Sequence, residues 1–201
     1  MTLNDCYKLF GSAILAGAAI AIGGFVNLAL GGVAGAVFFA FGLLTVVHYK
    51  WKLYTGYVGF LSSWSEFGQS FIVLAGNVVG CLFVGWLAKC SPLDLQAAAD
   101  RIITGRLNIG PWRAGALAIG CGFIVTAAVT FGRQEKWWPL LFGVPTFILC
   151  GFPPCIADAF YYLAVPFSRV TLDVVWVWLA CVAGNFIGCN FYRIILPECK
   201  K

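Results

Sequence analysis

Long apolar runs separated by short polar breaks make up almost the whole chain. The first runs from about Leu9 to Leu30 and is dense in small residues such as Ala13, Ala16, Gly17, Gly23 and Gly24. Small residues let helices pack closely in lipid. Gly31-Gly32 predicts a tight turn. The second run is clean from Val33 to Val47, meets His48, Lys50 and Lys52, and resumes at Leu53-Tyr54-Thr55-Gly56. The third spans about Gln69 to Ala88. The segment 89–112 is the longest polar stretch and reads as a linker. The fourth run covers about Ala114 to Phe131, and Gly132 to Lys136 reads as a charged loop. The fifth begins at Trp137, is broken by Gly151-Phe152-Pro153-Pro154, and resumes at Cys155 as far as Val165. The sixth is about Thr171 to Leu196. A crossing needs about 20 apolar residues, so the pattern predicts about six transmembrane helices, the second and fifth broken.

Interrupted apolar runs at matching places in two halves point to a transport site, because irregular backbone survives at membrane depth only where it is buried in protein or lines a cavity. A repeated motif supports two halves. Gly76-Asn77-Val78-Val79-Gly80 in the third run recurs as Gly184-Asn185-Phe186-Ile187-Gly188 in the sixth. Three crossings per half would give the repeats opposite topology. The expectation is an all-α polytopic membrane protein whose single transmembrane domain fills 1–201, with inverted repeats at about 9–88 and 113–196. Asn77 and Asn185 read as structural hydrogen-bonding residues between tightly packed spans.

Composition removes the rival classes. Hydrophobic residues make up 61% of the 201, charged residues only 10%, and the mean hydropathy is +0.90. A soluble domain of this size cannot hide so much apolar surface. Disordered chains need the opposite balance. The first run is too long for a signal-peptide core and reads as a retained helix. Net charge is +5, without a basic cluster of the kind that binds nucleic acid. The nine cysteines show no C-x-x-C spacing and mostly sit within apolar runs, so they read as packing residues. With one histidine, a multi-histidine metal site is excluded, and no cofactor is expected. No nucleophile–base set appears, so an enzyme is not expected either.

An ionisable side chain within a span costs roughly 2.5–3.5 kcal/mol on insertion scales. His48, Lys50, Lys52 and Asp158 all fall at the breaks. They either snorkel to a surface or serve a site. If helix continued through the first break, His48, Lys52 and Thr55 would share a face and attract an anion. Asp158 would then cap the second break or pair with Lys52. Trp137, Trp138, Trp176 and Trp178 read as interfacial anchors. Phe39 and Phe147 are either packing residues or a constriction.

Together these residues resemble the formate/nitrite transporter family over nearly the whole chain, about Leu9 to Ile195. The similarity rests on Phe39-Ala40-Phe41-Gly42-Leu43, Leu53-Tyr54-Thr55-Gly56 and Gly76-Asn77 in the first half. In the second it rests on Phe147, Gly151-Phe152, Ile156-Ala157-Asp158-Ala159-Phe160 and Gly184-Asn185. The resemblance implies an aquaporin-like fold, a homopentamer with one pore per protomer, and passage of small monovalent anions such as formate, nitrite or bicarbonate. It implies that Phe39 and Phe147 form one constriction, and that Leu43, Leu53, Tyr54 and Val125 line another beside Thr55. Arg106 falls near the family's vestibular lysine. Four departures stand out, one of them Lys52, which stands where the first break normally carries an acid. Pro154 takes the position of the pore histidine and can donate neither a hydrogen bond nor a proton. Asp158 replaces an Asn. Gly122 stands where an Asn is usual.

Three functions follow as expectations. The first is an anion channel in which Lys52 is a fixed pore charge. Lys52→Ala would then lose most flux, flux would vary little with pH, and bicarbonate or nitrite would be favoured over lactate. The second is a non-transporting or regulatory scaffold that kept the fold. The third is a neutral-solute channel, disfavoured because paired Asn-Pro-Ala signatures are missing. Orientation is open: with the N-terminus inside, Lys8, Arg133, Lys136, Arg193, Lys200 and Lys201 oppose Lys89, Arg101, Arg106, Arg113 and Arg169, a near-even split under the positive-inside rule.

Overall fold

The computed structural model describes residues 2–196; Cys199, Lys200 and Lys201 lie outside the described residues. Those residues form α1 (Leu3–Leu30), α2 (Gly32–His48), α3 (Tyr54–Tyr57), α4 (Trp64–Cys90), α5 (Leu95–Arg133), α6 (Trp138–Leu149), α7 (Cys155–Ala164) and α8 (Leu172–Ile195). Short 3-10 turns follow α3 at Val58–Phe60 and α7 at Phe167–Arg169. The helices α1, α4, α5 and α8 are long and apolar enough to cross a membrane.

Local chemistry sets several helix starts. Thr2 and Asp5 form a reciprocal capping box at α1, so this helix begins several residues before the apolar run that predicted it. Ser63 accepts from the Glu66 N–H at α4, and Asp94 from the Ala97 N–H at α5. The expected linker 89–112 is largely helical. Its residues 95–109 form the first part of α5, and Gly110 interrupts the helix with φ 74°. Pro111 then opens the second part, where a missing N–H costs nothing. The sequence concealed this helix because its polar residues gave no continuous apolar run.

Direction follows from contacts of the small residues. Gly76 lies against Phe10 and Ala13, and Gly80 against Ile14 and Ala18. Residue numbers climb together, so α1 and α4 run the same way. Gly184 lies against Gly115 and Ala118, and Gly188 against Ile119; α5 and α8 therefore also run together. Gly35 meets Asn27 and Gly42 meets Ala19, which makes α2 antiparallel to α1. The two Gly-Asn-x-x-Gly motifs thus do the same work. Each seats its helix on the small-residue face of the helix that begins its half. Gly17 and Gly122 complete the two contacts, since a Cβ on either would collide with the backbone of Asn77 or Asn185 respectively. A side chain at position 122 has no room here.

Both breaks turn in the same way. After α2, the Lys50 N–H returns to Val47 O at 3.2 Å and the Trp51 N–H to Val46 O at 3.0 Å. After α6, the Gly151 N–H returns to Ile148 O at 3.0 Å and the Phe152 N–H to Phe147 O at 2.9 Å. Such helix ends need a left-handed residue, usually glycine. Gly151 supplies it with φ 71°; in the first half Lys50 adopts φ 57°.

Candidate functional site

Two buried asparagines hold the breaks. Asn77 Oδ1 accepts from the Tyr54 N–H at 2.8 Å, while its Nδ2 donates to Ala13 O at 2.7 Å and Lys52 O at 3.0 Å. Asn185 repeats this in the other half. Its Oδ1 accepts from the Cys155 N–H at 2.8 Å, and its Nδ2 donates to Ala118 O at 2.8 Å and Pro153 O at 3.0 Å. The first N–H groups of a helix lack intrahelical acceptors. Each asparagine meets one such N–H and ties the residue two positions before it to the neighbouring helix.

Between the breaks lies a small cavity of about 20 Å³, lined by Ile20, Phe39, Leu43, Leu53, Thr55, Val125, Phe147, Pro154, Ile156 and Ala157. That is room for about one water, which needs at least 10–15 Å³. The Phe39 and Phe147 rings meet edge to face with centroids 6.2 Å apart and planes at 87°. Seven residues singled out from the sequence therefore converge: Phe39, Leu43, Leu53, Thr55, Val125, Phe147 and Pro154. Tyr54 is buried but outside this lining; its N–H is held by Asn77. Sequence reasoning missed Ile20, Ile156 and Ala157. The last two immediately follow Cys155 at the start of α7, so their place beside the break was a usable signal. Ile20 is one apolar residue among many in α1 and carried none.

The charged candidates are arranged differently from the expectation. Helix α2 ends at His48, so His48, Lys52 and Thr55 do not share a helical face. His48 is exposed beside a shallow surface hollow with Phe41, Leu44, Thr45, Tyr49 and Trp137. Lys52 is also exposed, its Nζ 5.9 Å from the centre of the Tyr57 ring. Neither side chain lines the cavity. The partner of Asp158 is Arg106, not Lys52. Arg106 Nε donates to Asp158 Oδ2 at 3.1 Å, and Nη1 donates to Gly151 O at 3.0 Å. Asp158 is fully buried, while Arg106 keeps 16% of its side chain exposed. Arg106 therefore ties the helix 95–109 to the second break. Trp178 is not a simple interfacial anchor, because its Nε1–H donates to Cys155 O at 2.8 Å.

Four long apolar helices, with shorter apolar helices packed among them, define an integral, multi-pass membrane protein. A model of the family "Formate/nitrite transporter" matches residues 2–197, and the chain belongs to that family. It is similar to a formate-nitrite transporter of Entamoeba histolytica, 29% identical over 220 aligned positions that cover 92% of this chain and 61% of the relative. This chain thus spans about three fifths of that relative's length. Among solved structures it resembles a pentameric formate channel with formate bound (TM-score 0.80, 20% identity, 98% of each chain). It also resembles an FNT family ion channel (TM-score 0.77, 18% identity, 94% of this chain and 88% of the other). These similarities establish the channel fold.

Proposed function

We propose that this chain carries small monovalent anions of the formate type across the membrane, through a path in each protomer of a homopentamer. The observation that carries the reading is the small cavity between the two breaks, with the Phe39–Phe147 ring contact in its wall. Helix α7 starts there, with Ile156 and Ala157 in the lining. A helix N-terminus is a partial positive charge with unpaired N–H groups and favours an anion. The apolar walls strip water, which penalises ions that lack such compensation. The family membership supports the substrate class, and the solved formate channel supports the pentamer. Nitrite and bicarbonate match formate in charge and small size and are the further candidates.

On this reading α2–α3 and α6–α7 are each one broken crossing, which makes six with α1, α4, α5 and α8. The matched hydrogen bonds of Asn77 and Asn185 support an inverted repeat. A second reading, a non-transporting scaffold, is favoured by one observation. Pro154, which the resemblance sets at the place of the family's pore histidine, lines the cavity and offers no proton. Flux of formate, nitrite, bicarbonate and lactate into liposomes carrying the purified protein separates the two. Saturable uptake of the small anions supports transport; uptake no faster than in empty liposomes for all four supports the scaffold.

A further inference from the structure

The two Gly-Asn motifs share one residue more than the asparagine brackets use. Gly76-Asn77-Val78-Val79-Gly80 continues into Cys81, and Gly184-Asn185-Phe186-Ile187-Gly188 into Cys189. Residues four positions apart are neighbours on one helix face. The asparagine holds the break of its own half; the cysteine reaches into the other half. We propose that Cys81 and Cys189 are positioning residues that set the width of the cavity, each thiol holding a main-chain carbonyl of a lining residue from the opposite half. This rests on the reading that the chain passes small anions.

Three observations support it. First, the contacts are reciprocal. Cys81 Sγ, on α4, donates to Ile156 O of α7 at 3.3 Å, and Cys189 Sγ, on α8, donates to Thr55 O of α3 at 2.9 Å. A thiol carries one proton, and Gly17 O, at 3.6 Å from Cys81 Sγ, is the more distant acceptor. Second, both acceptors belong to the cavity wall. Thr55 and Ile156 each stand second in a short helix, and both line the cavity of about 20 Å³. Third, the thiols have a firm base. Gly76 and Gly80 seat α4 closely on the α1 backbone, and Gly184 and Gly188 seat α8 on that of α5. Both cysteines are fully buried, so water does not compete for the proton.

Other side chains also join the halves. Asn27 Nδ2 donates to Tyr161 Oη, and Asn190 Nδ2 to Val58 O. Neither Tyr161 nor Val58 lines the cavity. The cysteines differ because their acceptors do. Helix α3 is a single turn of four residues and has few bonds of its own. The thiol at Thr55 O therefore fixes how far α3 stands from α8, and the thiol at Ile156 O how far α7 stands from α4. Neither cysteine is part of the lining, so each sulfur stands behind the wall. Without it, the lining backbone shifts outward into the vacated space and the cavity widens. A wider cavity discriminates less against a bulkier acid such as lactate. The thiols act through the wall and not on the anion.

The test measures formate and lactate uptake by liposomes carrying the full chain. The formate-to-lactate rate ratio should fall roughly two- to tenfold in Cys81→Ala and likewise in Cys189→Ala, the range that one hydrogen bond spans. Serine keeps a donor at the same place, so Cys81→Ser and Cys189→Ser should hold the ratio near its wild-type value. A merely structural cysteine would lower yield and both rates together and leave the ratio alone. An unchanged ratio in either alanine variant overturns the proposal, and so do serine variants shifted as far as the alanine ones. Raman spectra of the S–H stretch read the bonds without any flux. The band lost in Cys189→Ser should lie at the lowered frequency of a hydrogen-bonded thiol; a band lost at the frequency of a free thiol overturns the proposal as well. Failure of the parent reading is distinct: wild-type liposomes would then pass neither acid, while the S–H bands would keep their positions.

Discussion

Asn185→Ala tests whether the second break is held by one side chain. The substitution removes three hydrogen bonds and leaves the Cys155 N–H and the Ala118 and Pro153 carbonyls without that partner in a site where Asn185 is fully buried. Side-chain hydrogen bonds inside membrane proteins average about 0.6 kcal/mol each, which gives about 2 kcal/mol for three. A buried polar group left unmet costs about 1–3 kcal/mol, so the loss should exceed that floor. We expect about 3 kcal/mol. For a chain of this length that is a fall of about 6–12 °C in Tm, read by tryptophan fluorescence in detergent. Asn77→Ala removes the equivalent three bonds in the other half and should cost a similar amount. The two sites share no partner, so the double variant should show the sum within about 0.5 kcal/mol. A Tm indistinguishable from wild type for Asn185→Ala would refute the reasoning. So would a double variant no worse than either single one.

Further outcomes follow from the same geometry. Lys50→Gly should raise stability by about 1 kcal/mol, since a left-handed residue with a Cβ costs roughly 1–2 kcal/mol, and thermal unfolding reads it. Gly122→Ala should lower the yield of folded protein, because the added Cβ would strike the backbone of Asn185; size-exclusion profiles after purification check this. Lys52→Ala should keep most of the wild-type formate flux, because Lys52 is exposed and does not line the cavity. A loss of most flux in that variant would return Lys52 to the path.

The breaks and their brackets were legible in the sequence because they depend on local signals. Pro153-Pro154 cannot continue a helix, and a Gly-Asn motif recurs in the long apolar run that follows each break. Phe39, Leu43, Leu53, Thr55, Val125 and Phe147 converge because they sit on elements whose order those signals define. What escaped depends on long-range partnership. Arg106 and Asp158 are 52 positions apart, and nothing in their neighbourhoods ties one to the other. The helix 95–109 is polar, so hydropathy reads it as linker although it forms a continuous helix. For Lys52 the expectation was conditional. The shared face with His48 and Thr55 required helix to continue through residues 49–53, whereas Lys50 turns the chain there.

The asparagine brackets also separate architecture from chemistry. They grip only main-chain atoms: the carbonyls of Lys52 and Pro153, and the amides of Tyr54 and Cys155. None of these bonds involves the side chains at positions 52 to 55 or 153 to 156. Residues facing the cavity are therefore interchangeable as far as the brackets are concerned. A proline can occupy position 154 without a change in the bonds that the asparagines make. If the proposed transport holds, such a frame lets the cavity lining be rewritten one residue at a time, with the helix joints left in place.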